Sequence, residues 1–326
     1  MARLFAYIVH KAGLADDTAA ELAAAAKRID PAAPPTAILT GSGPDLDAAG
    51  KNLCAVYAEI WKISNEDLAY PNAELVRKAL VKVIPPGSIL LVAHEHFGID
   101  LAPGLSIKLN SAFVSDVVDI SGVEGGQLKV VRQEFGGQVS AHVRCDISSG
   151  AVVSVRPGAF KPQEGAAVTG AVVDKSADVG ALAAGRRYVE TVIADAGDVD
   201  ITKHNILVSI GRGIQEKENV AIAEELAEAL GAAVSCSRPV VDAKWMEKSR
   251  QVGSSGKTVK PKVYLACGIS GAFQHLAGIK GSPFLIAINK NPKAPIFQVA
   301  DVGIVDDILE FLPELTNRVR EMRSAA

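Results

Sequence analysis

The chain has 326 residues, enough at roughly 150 per domain for about two domains with full cores. Its 34 Lys plus Arg against 37 Asp plus Glu leave a net charge of -3, which argues against the basic face that nucleic-acid binding needs. Hydrophobic residues at 48% and charged ones at 22% exclude wholesale disorder, and only 5% aromatics disfavour a surface built on stacking.

No apolar run approaches the ~18 residues of a membrane span, so no transmembrane segment is expected. The stretch from Met1 to His10 is too short in its apolar part for a signal peptide, and a cytoplasmic protein is expected. Cys54, Cys145, Cys236 and Cys267 are widely scattered with no C-x-x-C, which predicts four reduced thiols and no structural metal.

In chain order, Leu4 to Val9 reads as a strand and Asp17 to Ile29 as an alanine-rich helix. Thr36 to Leu39 and Val56 to Ile63 are further strands, with a helix from Asp45 to Leu53 between them. Asn72 to Ile84 reads as a helix stopped by Pro85-Pro86-Gly87. Ser88 to Ala93 is a continuous apolar strand of the kind buried on both faces. This alternation predicts a parallel sheet with crossover helices. From about Ser111 to Val173 the texture becomes β-rich, with Gln127 to Phe135 and Gln138 to Cys145 flanking a hairpin signal at Gly136-Gly137, and Ala151 to Arg156 following. The expectation is an antiparallel extension of the first domain. Small and acidic residues at Ala194 to Asp198 mark a linker.

The second half opens with a strand from Asn205 to Ile210, then Gly211-Arg212-Gly213 and a helix with Ile222, Leu226, Ala229 and Leu230 on one stripe. Strands follow at Val263 to Cys267, Phe284 to Ile288 and Ile296 to Val299, and Asp306 to Val319 closes the chain as a helix. The fold class predicted is α/β with two domains. Residues 1–196 form an α/β domain with a parallel sheet plus an antiparallel extension, and 204–326 form a doubly wound parallel α/β domain.

Strand, Gly-x-Gly, helix at Ile210 to Ile214 is half of a dinucleotide fingerprint. Glu216 stands where the third glycine belongs, so a tight turn explains it as well. Gly253-Ser254-Ser255-Gly256-Lys257-Thr258 fails as a phosphate-binding P-loop, because Gln251 occupies the first glycine position and Pro261 blocks the helix. A polar Gly/Ser loop suited to ligand contacts remains. In Cys267 to His275 a buried strand turns through Gly268, with Ser270 at the expected N-cap of a helix that projects Gln274 and His275. His94-Glu95-His96 has the spacing of two metal ligands but lacks an evident third, and a polar loop is the simpler reading. Arg238 is either a surface cation or a group that stabilises ligand charge, and Asp306-Asp307 either an ordinary helix start or a ribose acceptor.

In this order the motifs resemble one family closely, the alpha subunit of electron-transfer flavoprotein. The likeness is carried by Gly211-Arg212-Gly213, Ser237 to Ala243, Gln251 to Thr258, Gly268 to Gly278, Ala287 to Pro292 and Ala294 to Asp301. Looser matches are Asp100 to Pro103 and Val155 to Phe160. The resemblance implies FAD held by the second domain. Arg212 would lie by the pyrophosphate or ring system, and Ser237 and Arg238 would flank the flavin. Gln251, Val252, Gly253, Ser254 and Ser255 would run along its polar edge, with Ser255 donating toward N5. Gly268, Ser270, Gly271, Ala272, Phe273, Gln274 and His275 would bind from the helix N-terminus, His275 reaching the pyrimidine carbonyl. Asn289 and Asp307 would serve the adenosine half. Ser255 replaces a Thr frequent in the family, Pro239 and Val240 replace smaller residues, and Ile99, just before Asp100, stands where Arg is usual.

The resemblance further implies an electron carrier paired with a beta subunit, which transforms no substrate by itself. It would be fed by dehydrogenases such as acyl-CoA dehydrogenases and discharge to a quinone reductase or another acceptor. Arg238, Ser255 and His275 would tune the redox chemistry, Arg238 supplying the larger Coulomb effect because it does not deprotonate. One alternative is an electron-bifurcating, NADH-oxidising complex. Another, of a different class, is a non-redox nucleotide-binding module. The first domain is expected to contribute to the subunit interface.

Overall fold

The described residues of the computed structural model are 2–162, 168–186, 188–190, 199–281 and 283–324. The chain divides into two compact units, residues 1–190 and 191–326. The expected linker at 194–198 lies outside the described residues. No described helix is long and apolar enough to cross a membrane.

In unit 1 the strands are β1 (Leu4–Tyr7), a small hairpin of β2 (His10–Lys11) and β3 (Leu14–Ala15), β4 (Thr36–Gly41), β5 (Glu59–Ser64) and β6 (Ile89–Ala93). They continue with β7 (Ala112–Glu124), β8 (Gln127–Glu134), β9 (Val139–Asp146), β10 (Ala151–Val155) and β11 (Ala171–Asp174). The helices are α1 (Thr18–Ile29), α2 (Gly43–Leu53), α3 (Ala73–Val83), α4 (His96–Lys108) and the single turn α5 (Ser176–Val179). The main sheet runs β11-β5-β4-β1-β6-β10-β7-β8-β9.

Alternation along β1 explains the layers. Leu4 and Ala6 face α1 and α2, whereas Phe5 and Tyr7 face α3 and α4. A strand covered on both faces has no polar side to present, so all four residues are buried. Helix starts are written locally. Asp16 accepts hydrogen bonds from the Thr18 amide and hydroxyl ahead of α1, and Asn72 caps the Glu74 and Leu75 amides of α3.

Seven strands, from β11 through β7, are parallel to their neighbours, and β8 and β9 form the antiparallel extension. The turn into β8 uses Gly125 and Gly126, both at positive φ as a two-residue hairpin loop requires. A 3-10 turn at Phe135–Gly137 leads into β9. Ala151 to Arg156, expected in that extension, instead supplies β10, which inserts between β6 and β7 parallel to both. Its five residues are all buried, as a strand covered on both faces demands. Two further expectations are corrected. The segment from Val56 begins as the closing turn of α2, with the Val56 and Tyr57 amides both bonded to the Leu53 carbonyl, so β5 starts only at Glu59. Helix α4, which was not anticipated, carries Gly98, Pro103 and Gly104, residues that weaken a sequence-based helix signal.

Unit 2 contains β12 (Ile206–Ile210), α6 (Val220–Leu230), β13 (Ala233–Cys236), α7 (Arg238–Asp242), β14 (Val263–Cys267), α8 (Phe273–Leu276), β15 (Phe284–Ile288), β16 (Val302–Ile304) and α9 (Ile308–Ser324). The sheet is entirely parallel in the order β13-β12-β14-β15-β16. Numbered within the unit this is 2-1-3-4-5, with its switch point between β12 and β14. Val220, Ala223 and Leu226 of α6 and Ile308 and Leu312 of α9 cover one face of the sheet. Loops carrying Val252, Val259 and Ile269 cover the other. Ile296 to Val299 is not a strand: Pro295–Gln298 is a 3-10 turn, and the fifth strand is Val302–Ile304. A proline entering that segment favours a turn over a ladder.

Candidate functional site

In open parallel sheets, ligands bind beyond the carboxyl ends of the strands, at the switch point. The loops leaving β12 to β15 in unit 2 carry nearly every residue picked out above. Gly211 follows β12, Ser237 follows β13, Gly268 follows β14 and Asn289 follows β15. Asp307 stands just before α9, where its carboxylate accepts from the Leu309 amide at 3.0 Å.

The switch point itself is backbone against backbone. The Gly211 amide donates to the Cys267 carbonyl at 2.8 Å, and the Gly213 amide to the Gly268 carbonyl at 3.1 Å. A Cβ on Gly211 would stand 2.2 Å from the Gly268 carbonyl oxygen, and one on Gly213 2.7 Å from Gly268 Cα. Gly-x-Gly is therefore required here by contact with the next loop, which brings the two loops to one spot. Arg212 projects between these glycines and is exposed.

Along the neighbouring rim, the Val252 amide bonds the Cys236 carbonyl at 2.9 Å and the Ser254 amide bonds the Gln274 carbonyl at 2.7 Å. Gly253 permits the close approach, since its Cβ would meet the Gln274 oxygen at 2.8 Å. The loop at 251–255 and the segment at 274–275 thus form one surface. Buried Gln251 donates through Nε2 to Ser255 Oγ at 2.8 Å. With that oxygen accepting, the exposed Ser255 hydroxyl keeps its own hydrogen to donate outward. Ser254, Ser270, Ala272, Phe273 and Gln274 are also exposed, while Ser237, Val252, Gly253 and Gly271 are buried.

Arg238 opens α7, with its guanidinium 3.4 Å from Asp242 and its side chain 69% exposed. An ion pair so exposed holds the guanidinium weakly, leaving it able to swing to an anionic partner. Ser270 does not cap α8. That position belongs to Ala272, which provides no side-chain cap, because the chain turns through Gly271 at φ +85 before the helix begins. Asn289 is committed internally, donating to the Ile269 carbonyl and accepting from the Asn291 amide, both at 2.9 Å. Asp307 also pairs with Lys290 at 2.6 Å, and that cation holds its carboxyl below the usual range.

His275 turns inward. Its Nδ1 lies 3.1 Å from the Val252 carbonyl and its Nε2 2.9 Å from the Tyr264 hydroxyl. Burial pushes its pKa down to about 4, so the ring is neutral at pH 7. Tyr264 and Lys290 were not anticipated. A signal for the first exists, since a tyrosine inside a strand buried on both faces needs a partner for its hydroxyl.

Unit 1 holds the looser motifs. His94 ends near Ser154, with Nδ1 2.9 Å from its hydroxyl, whereas exposed His96 begins α4, so the two rings do not share a site. Among the described residues no group of three or more His, Cys, Asp or Glu could hold a metal. Arg156 forms a two-pronged pair with Asp116, at 2.8 and 2.5 Å, and also donates to Gln133. Asp100 on α4 lies 3.9 Å from Arg77 and 3.6 Å from Arg186.

Comparison with known proteins bears on both units. Residues 5–196 match the electron transfer flavoprotein domain, and residues 200–280 match the electron transfer flavoprotein FAD-binding domain. Protein FixB of Clostridium saccharobutylicum is 39% identical over 274 residues, covering 82% of this chain and 81% of that protein. The electron transfer flavoprotein subunit alpha of Bacillus subtilis (strain 168) is 37% identical over 250 residues, covering 76% and 75%. That of Methylophilus methylotrophus is 40% identical over 232 residues, covering 70% of each. With both units matched and relatives aligned over most of its length, the chain belongs to the electron transfer flavoprotein alpha-subunit family, and its second unit is that family's FAD-binding domain.

Proposed function

We propose that this chain is the FAD-carrying subunit of a two-subunit electron carrier, completed by a beta subunit. It takes electrons from dehydrogenases, such as acyl-CoA dehydrogenases, and passes them to a quinone reductase or another acceptor. The observation that carries this reading is the donor set at the carboxyl end of the 2-1-3-4-5 sheet. Exposed Arg212, Arg238, Ser254, Ser255 and Ser270 ring loops whose glycine contacts leave no room for a Cβ. Such a set suits FAD, since amides and guanidiniums match a pyrophosphate and hydroxyls match the edge of a flavin ring.

FAD supplies the one- and two-electron chemistry when bound. The chain's part is to hold and tune it. Arg212, exposed beside the contact between Gly211 and Gly268, would take the pyrophosphate through its guanidinium. Ser255, its oxygen engaged by Gln251, would offer its hydrogen to N5. Arg238 would bring a permanent positive charge to the ring, favouring states in which the ring is negative. His275 would face the pyrimidine side from beneath the 251–255 loop, and Asn289 and Asp307 would shape the adenosine half.

The test is the visible spectrum of the chain co-purified with its beta partner and reduced stepwise, in wild type and Arg238→Ala. Wild type should show flavin bands and hold flavin at the one-electron stage. Arg238→Ala should reduce the stability of that stage roughly tenfold, the size of one charge-assisted hydrogen bond of about 1.5 kcal/mol. An unchanged one-electron yield would overturn the role of Arg238. A colourless protein unable to take up FAD would overturn the whole reading, and two flavins per heterodimer would favour the NADH-oxidising, bifurcating type.

A further inference from the structure

Behind His275 lies a chain of buried polar groups. Tyr264 on β14 and Ser209 on the adjacent strand β12 are both 0% exposed, and His275 is 6% exposed. The Tyr264 hydroxyl is 2.7 Å from Ser209 Oγ, aligned to donate to it, and 2.9 Å from His275 Nε2. The order is Val252 carbonyl, His275 ring, Tyr264 hydroxyl, Ser209 hydroxyl.

Counting hydrogens along it fixes what each group does. A carbonyl only accepts, so the Nδ1 facing Val252 carries a hydrogen. In the neutral ring Nε2 is then bare, and the single Tyr264 hydrogen must go to it. In the protonated ring Nε2 donates instead, the Tyr264 oxygen accepts, and the Tyr264 hydrogen needs a new acceptor. Ser209 Oγ is the aligned acceptor, and the buried Ser235 hydroxyl also lies beside Tyr264. The proton gained gives the ring a positive charge while both of its nitrogens stay on Val252 and Tyr264.

We propose that Tyr264 and Ser209 are positioning residues that let His275 gain a proton without stranding a buried hydrogen-bond donor, and so tie proton uptake to negative charge at the flavin site. The tie to flavin rests on the function proposed above; the hydrogen-bond chain does not. Burial alone holds the ring neutral in the flavin-free chain. The titratable groups nearby are Tyr264 and, close to it, the thiols of Cys236 and Cys267. Burial raises Tyr264 well above its usual range and Cys267 to about 12. Neither therefore competes for the proton.

The experiment reads the imidazole nitrogens of His275 by 15N NMR in the full-length chain without flavin, with His275→Gln used for assignment. At pH 7 Nδ1 should be protonated and Nε2 bare but hydrogen-bonded, and Tyr264→Phe should move the Nε2 signal alone. At pH 5 the protonated fraction should fall about tenfold in Ser209→Ala, the effect of stranding one buried donor, and return in Ser209→Thr. A neutral ring protonated on Nε2, or a Ser209→Ala fraction equal to wild type, would overturn the chain. Tyr264→Phe also lowers the fraction, and serves should Ser209→Ala not fold. In the flavin-loaded heterodimer, the pH at which the midpoint potential changes slope should move acidward in Ser209→Ala. A slope change that stays put overturns the tie to flavin, whereas failure to bind flavin overturns only the proposed function.

Discussion

His275 is the buried histidine of the candidate site, and its stability signature has a definite sign. Its pKa is about 4 in the fold against a reference of 6.5, so between those values the unfolded chain takes a proton that the folded chain refuses. The contribution is complete above about pH 6.5 and is lost as pH falls toward 4, in total roughly 3 kcal/mol. Denaturant melts of wild type and His275→Gln at pH 7 and pH 4.5 should therefore differ in slope with pH, the wild type losing more on acidification. Equal losses would mean that the ring is not held neutral. The sequence pointed to His275 through its helix and its family, but not to its orientation. That is set by Val252 and Tyr264, which lie 23 and 11 residues away and meet it only in the folded chain.

At the scale of elements, the glycine contacts make the sharpest prediction. Gly211→Ala would put a Cβ 2.2 Å from a carbonyl oxygen that cannot withdraw without moving the loop after β14. It should cost about 1–3 kcal/mol in a urea melt, as overpacked sites do. Gly87→Ala, with positive φ but nothing within 4 Å of its Cβ, should cost only the backbone strain of about 1 kcal/mol. Most elements were legible because their periodicity or caps are local, as at α1, α3, β6 and β14. Two of those misread depended on distant partners. β10 resembles any strand after a hairpin until β6 and β7 are seen to accept it on either side. The segment at Ile296 is apolar enough for a strand, yet it packs as a turn beneath Gly271, where a glycine Cβ would meet the Ile296 amide at 2.4 Å. Helix α4 was hidden by its own glycines and proline.

For the whole molecule, two compact units with separate cores predict separable melting. FAD at roughly 100 times its Kd should stabilise unit 2 by about 2.7 kcal/mol and leave the transition of unit 1 where it was. Calorimetry of the full chain with and without FAD checks this, and a single transition moving as one would refute the separation. We further propose residues 1–196 and 204–326 as the domain limits; a piece comprising residues 199–326 should then fold and take up FAD by itself. The backbone contacts around Gly211, Gly213, Gly253 and Gly268 bear on how the proposed flavin site can be diversified. Every other amino acid carries the one atom those contacts exclude, so no single-base change that replaces one of these glycines is neutral. A library aimed at shifting the potential would spend its diversity at Arg238, Ser254, Ser255 and Ser209, and leave the four glycines invariant.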